Sequence, residues 1–154
     1  MSSWLVIGIG NPDCGDDAVG PMVARLLDGR VPPGVTVLAR AVDMLGLIED
    51  WDGRDGVVLI DAAALVTEAG TTHRIDLLQD PLPRDLALAS THAFGVADSV
   101  ALARALNRLP GQLIVYAVEG EVFEPGAEPS PAVVASAGVV ARRVAAELAA
   151  HVRS

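Results

Sequence analysis

The chain has 154 residues, 51% of them hydrophobic, and carries 20 acidic against 11 basic side chains for a net charge of −9. That length and apolar content suit a single globular domain over residues 1–154 and exclude a disordered chain. The acidic balance argues against a nucleic-acid binder, which needs a basic face to displace counterions, and suits a cationic ligand or a basic protein segment. One cysteine, Cys14, excludes a disulfide framework and a cysteine-based zinc cluster. No apolar run approaches the ~20 residues of a membrane span. Met1-Ser2-Ser3-Trp4 has no basic signal region, so a cytoplasmic protein with no membrane partner is expected, with a monomer as the default.

In chain order, Trp4 to Gly8 is a short apolar run that reads as a buried strand. Asp16 to Leu27 reads as a helix, with Val19, Met22, Val23, Leu26 and Leu27 at helical spacing and Gly29 beyond its end. A second strand follows over Val35 to Leu38, then a helix over Asp43 to Trp51. Gly56 to Ile60 is β-branched and apolar on both faces, the pattern of a central strand. Thr71 to Leu77 alternates, as a half-exposed strand does. Only Ala62 to Gly70 precedes it, too little for a parallel crossover, so it is expected to run antiparallel at an edge. A helix over Ala97 to Leu109, a strand over Gln112 to Val118 and a final helix over Pro131 to His151 complete the pattern, with Ser130 as the expected cap of the last. Strands alternating with helices define an α/β chain. The expected architecture is a three-layer α/β/α sandwich on a mostly parallel sheet with one antiparallel edge strand.

Gly8-Ile9-Gly10-Asn11-Pro12-Asp13 superficially matches a dinucleotide loop, but the third glycine position holds Asp13. Asp13, Asp16 and Asp17 would repel a pyrophosphate at the helix start, although that end of a helix favours anions. Either these acids serve the helix dipole, or the cluster marks a cation site. Asp61 directly follows the central strand, at the edge of the sheet where sites form. Of three histidines, His151 falls in the frayed last turn, His73 in the exposed edge strand, and His92 in a loop before a helix. Asp17, Asp61 and His92 together would offer an O, O, N set to a divalent transition metal with positions left open. Cys14 lacks a nucleophile's surroundings, because adjacent carboxylates disfavour the thiolate. No G-x-S-x-G elbow is present.

Gly8-x-Gly10-Asn11 followed by Asp16-Asp17-x-x-Gly20 resembles the opening motif of the hydrogenase maturation endopeptidases. The resemblance continues through Ile60-Asp61-Ala62, His92-x-Phe94-Gly95-x-x-Asp98, Glu124-Pro125 and Ser130-Pro131. It implies a five-stranded mixed sheet, with Asp17, Asp61 and His92 as the metal-binding and catalytic residues. It implies removal of a C-terminal peptide from the large-subunit precursor of a nickel–iron hydrogenase after nickel insertion. The nickel is carried by the substrate, and other divalent metals could substitute. Where the family has a glycine-rich acidic segment after the second strand, this chain has Ala39-Arg40-Ala41-Val42-Asp43, and Arg40 is expected to select the substrate. A nickel-sensing maturation chaperone without proteolysis and a nucleotide-binding domain are the alternatives.

Overall fold

The computed structural model describes residues 3–41, 44–81, 83, 86–89 and 96–152. Its five strands are β1 (Trp4–Ile9), β2 (Val35–Arg40), β3 (Gly56–Ala63), β4 (Thr72–Asp76) and β5 (Leu113–Glu119), in the order β2-β1-β3-β5-β4. The pairs among β2, β1, β3 and β5 are parallel, and β4 lies antiparallel to β5 at the edge. The short connection from β3 to β4 leaves no room for a covering helix, so β4 turns back on β5.

The residues of the central strands alternate between two apolar clusters. Leu5, Ile7, Val57, Leu59 and Val115 face one side, covered by α2 (Met44–Trp51) and α3 (Val96–Ala105). Val6, Val58, Ile60 and Ile114 face the other, covered by α1 (Val19–Leu27) and α4 (Pro131–Val152). A strand buried on both faces needs no polar alternation, which is why β3 and β5 read as continuous apolar runs. The expected three-layer sandwich is present. Among the described residues no helix is long and apolar enough to cross a membrane.

Several boundaries differ from the sequence reading. The first helix is split: Gly15–Ala18 forms a 3-10 turn and α1 begins at Val19. β3 runs past Ile60 to Ala63. α3 stops at Ala105 rather than Leu109, because Asn107 turns left-handed (φ 56°) and the Arg108 N–H bonds the Ala103 carbonyl at 2.8 Å, a Schellman-type closure. His151 is not free in solvent. Its ring stacks on Trp4 with centroids 4.6 Å apart, and Nε2 lies 3.5 Å from Glu147. Glu147 also receives both arms of Arg74 and the Tyr116 hydroxyl, which ties α4 to β4 and β5. Burial, then the bond to Glu147, pushes the Tyr116 hydroxyl up to about 12.

Candidate functional site

Three glycines let the chain fold tightly over the carboxyl ends of β1 and β3. A Cβ on Gly20 would lie 2.3 Å from the Ile9 carbonyl oxygen and 2.7 Å from that of Ile60. A Cβ on Gly8 would lie 2.1 Å from the Gly20 carbonyl, and one on Gly10, at φ 145°, 2.0 Å from that of Asp17. No other residue fits these contacts, so the start of α1 rests directly on two strand ends. Asp17 lies one turn before Gly20 and Asp61 directly follows Ile60. Both expected carboxylates are therefore carried to the same edge of the sheet.

The two acids are held differently. Asp17 is half-buried, and its Oδ2 accepts the Asn11 N–H at 2.9 Å. Asn11 in turn makes an Asx turn by accepting the Asp13 N–H on its own side chain. The 3-10 turn has no side-chain cap, so Asp17 is not spent on capping. Asp61 does not follow the strand but lies within it, paired with Ala117 of β5 and fully buried. Its Oδ1 accepts the Ala62 N–H at 2.9 Å. It shares the face of Val57 and Leu59, the face that α3 covers. His92, expected as the third ligand, lies outside the described residues, as does Phe94; Asp98 lies in the first turn of α3. Among the described residues no three His, Cys, Asp or Glu side chains gather closely enough to hold a metal ion. Two carboxylates supply hard oxygen donors, and the set becomes O, O, N only with an imidazole from the loop before α3.

Beside Asp17 opens a cleft of about 570 Å³, walled by Asn11, Cys14, Ala64, Leu88 and Phe123. Its far wall is the segment that bridges β3 through Ala63 and Leu88, with the Ala64 N–H bonded to the Ala87 carbonyl at 2.8 Å. Its described lining combines one carboxylate with mostly apolar walls, the pattern of a ligand pocket with few polar groups to fix orientation.

Two further acids build the surroundings of the site: Asp16, for which the sequence left capping and a supporting role beside the site both open, and Glu119, which it did not single out. Asp16 is fully buried and caps nothing. Its Oδ2 accepts the N–H groups of Glu121 (2.8 Å) and Val122 (3.1 Å) and the Ser130 hydroxyl (2.7 Å), and its Oδ1 accepts the Ser130 N–H at 2.6 Å. Burial opposes its charge, but these four donors outweigh it and hold the carboxyl below the usual range. Glu119, at the end of β5, is also fully buried. Its Oε1 accepts the Val66 and Thr67 N–H groups at 2.7 Å each, and its Oε2 lies 2.8 Å from His73 Nε2. Burial raises its pKa, yet the Thr67, His73 and Val66 bonds bring it down to about 2. His73, read as exposed, is thus committed to a buried acid. The signal for Glu119 was available: like Asp61, it is an acid ending a central apolar strand. Arg40 is half-exposed and gives both arms to Asp50 of α2 at 3.1 Å, so its fork is already filled.

A three-layer α/β/α sandwich that carries two acids to one edge of its sheet is the frame of the site. No family model and no curated protein matches the chain. Solved structures do. The hydrogenase maturating endopeptidase HybD from Escherichia coli is 25% identical, with a TM-score of 0.80 over 97% of this chain and 93% of that one. An Escherichia coli endopeptidase is 26% identical with a TM-score of 0.78, covering 95% of this chain and 91% of that one. A hydrogenase 2 maturation peptidase from Thaumarchaeota archaeon SCGC_AB-539-E09 is 26% identical with a TM-score of 0.67, covering 96% and 98%. The chain has the fold of the hydrogenase maturation endopeptidases along nearly its whole length.

Proposed function

We propose that this chain is an endopeptidase that trims the C-terminal peptide from a nickel-loaded large-subunit precursor of a nickel–iron hydrogenase. The observation that carries the reading is the delivery of Asp17 and Asp61 to one sheet edge in a fold similar, at a TM-score of 0.80, to a hydrogenase maturating endopeptidase. In this reading nickel arrives as part of the substrate, with Asp17, Asp61 and His92 as the residues that would receive it. The metal polarises the scissile carbonyl, and a water oriented by a carboxylate attacks it. The carbon–nitrogen bond breaks, the proton passes to the departing amine, and the leaving peptide vacates the apolar cleft. Asp17 is the better placed of the two acids to meet water, since it lines the cleft whereas Asp61 is buried.

The test is incubation of the protein with nickel-loaded precursor, followed by mass spectrometry of the precursor's C-terminus. Trimming of the nickel-loaded form and not of the nickel-free form is expected. Asp17→Asn retains an oxygen for the Asn11 N–H and should fold normally, yet trim at least ~100-fold more slowly, the scale of losing a carboxylate that handles a proton. An intact C-terminus with the wild-type protein overturns the reading. Stable binding without trimming would instead favour the chaperone.

A further inference from the structure

Two sequence features near the end of the chain, Glu124-Pro125 and Ser130-Pro131, take no part in the chemistry above. The fold gives them a place. The loop from β5 to α4 lies against the turn over β1, and the contacts between the two are specific. The Gly15 N–H bonds the Ala127 carbonyl at 3.1 Å, the Asp16 N–H that of Val122 at 2.6 Å, and the Gly126 N–H that of Asp13 at 2.7 Å. Glycine is required on both sides of the seam. A Cβ on Gly15 would lie 2.3 Å from the Val122 carbonyl oxygen, and one on Gly120 would lie 2.5 Å from Cβ of Asp16. At the centre of the seam the Asp16 carboxylate accepts its four bonds, all from residues more than one hundred positions away. A carboxylate sealed from water is costly unless its lone pairs are filled, so the seam tolerates little displacement of either loop.

The two loops joined here both line the cleft: Asp17, next to Asp16, on one loop and Phe123, next to Val122, on the other. We propose that Asp16 is a positioning residue for the peptidase reaction: clamping the β5–α4 loop to the turn over β1 fixes Asp17 and Phe123 relative to each other in the lining of the cleft. The proposal rests on the peptidase reading. Asp16 turns its charge into the seam while its neighbour turns outward, so the pair divides into one acid that builds the site and one that serves it.

The test compares Asp16→Asn and Ser130→Ala with wild type on nickel-loaded precursor, resolving kcat from KM below each variant's melting temperature. In Asp16→Asn the amide NH2 must face at least one of the backbone N–H groups, whichever way it turns. Here kcat should fall about tenfold, because small displacements of a reacting group are costly, with KM within twofold of wild type. Ser130→Ala removes the hydroxyl donor and leaves three backbone donors; it should lower kcat about threefold in the same pattern. It carries the test alone if Asp16→Asn does not fold. A lower melting temperature with kcat unchanged in the folded variants would make the clamp purely structural and overturn the proposal. If the wild-type protein leaves the precursor untrimmed, the peptidase reading fails first and the proposal with it.

Discussion

Replacing Glu119 by glutamine isolates one buried charge and predicts a measurable pH signature. In the wild-type protein the carboxyl is held at about 2 against an ordinary 4.5. A tenfold change in proton affinity is worth ~1.4 kcal/mol, so the ionised form contributes about 3 kcal/mol to stability. The folded pKa is depressed. The contribution is therefore complete above the unfolded value of 4.5, and it disappears as pH falls toward about 2. About half should be gone by pH 3. Glutamine is nearly isosteric and its oxygen can still accept the Val66 and Thr67 N–H groups, but it carries no charge for His73 and does not titrate. Urea unfolding of both proteins between pH 7 and pH 3 gives the difference in unfolding free energy at each pH. That difference should be largest near neutrality and shrink by roughly 1.5 kcal/mol or more by pH 3. The buried Asp16 and the part-buried Glu147 titrate equally in both proteins and cancel. At neutral pH the variant should melt about 5–10 °C lower, given ~2–4 °C per kcal/mol for a domain of this size. Parallel stability curves for the two proteins would show that Glu119 is not ionised and buried as described.

Two further perturbations probe the frame of the site. Gly20→Ala places a methyl 2.3 Å from the Ile9 carbonyl oxygen. It should cost about 3 kcal/mol or more, read as a loss of soluble folded protein or a sharply lowered urea midpoint, because two strand ends must move to admit it. Arg40→Ala should alter stability by less than about 1 kcal/mol, since the Asp50 pair is half-exposed. It should also leave kcat/KM for the precursor unchanged; a substantial rise in KM would restore the substrate-selecting role that the sequence suggested.

The order and type of the elements were legible in the sequence because burial on both faces leaves long apolar runs and short connections leave few topologies. Boundaries were less so. Ending β3 at Ile60 treated Asp61 as punctuation, whereas the ladder with Ala117 and Val118 holds the backbone extended through two alanines that carry little strand preference of their own. Asp16 and Asp17 are adjacent acids at a helix start, and nothing local separates them. Their division of labour is decided by donors at Glu121, Val122 and Ser130, which only the tertiary fold brings near. The same holds for Arg40, whose partner Asp50 sits one helix away, and for His73, whose partner ends a strand that pairs with its own.

The seam at Asp16 also constrains when the protein can work. During synthesis β1, α1 and β3 emerge long before the segment that closes over them, and chains fold as their parts leave the ribosome. Until the stretch from Glu121 to Ser130 emerges, Asp16 lacks its four donors, the Gly15 N–H has no carbonyl from Ala127, and the wall bearing Phe123 does not exist. A nascent chain can therefore show its acids to free metal ions only in a loose arrangement. A site with fixed geometry appears late, as the last helix docks, so partial chains and truncations ahead of Ser130 should be silent rather than promiscuous.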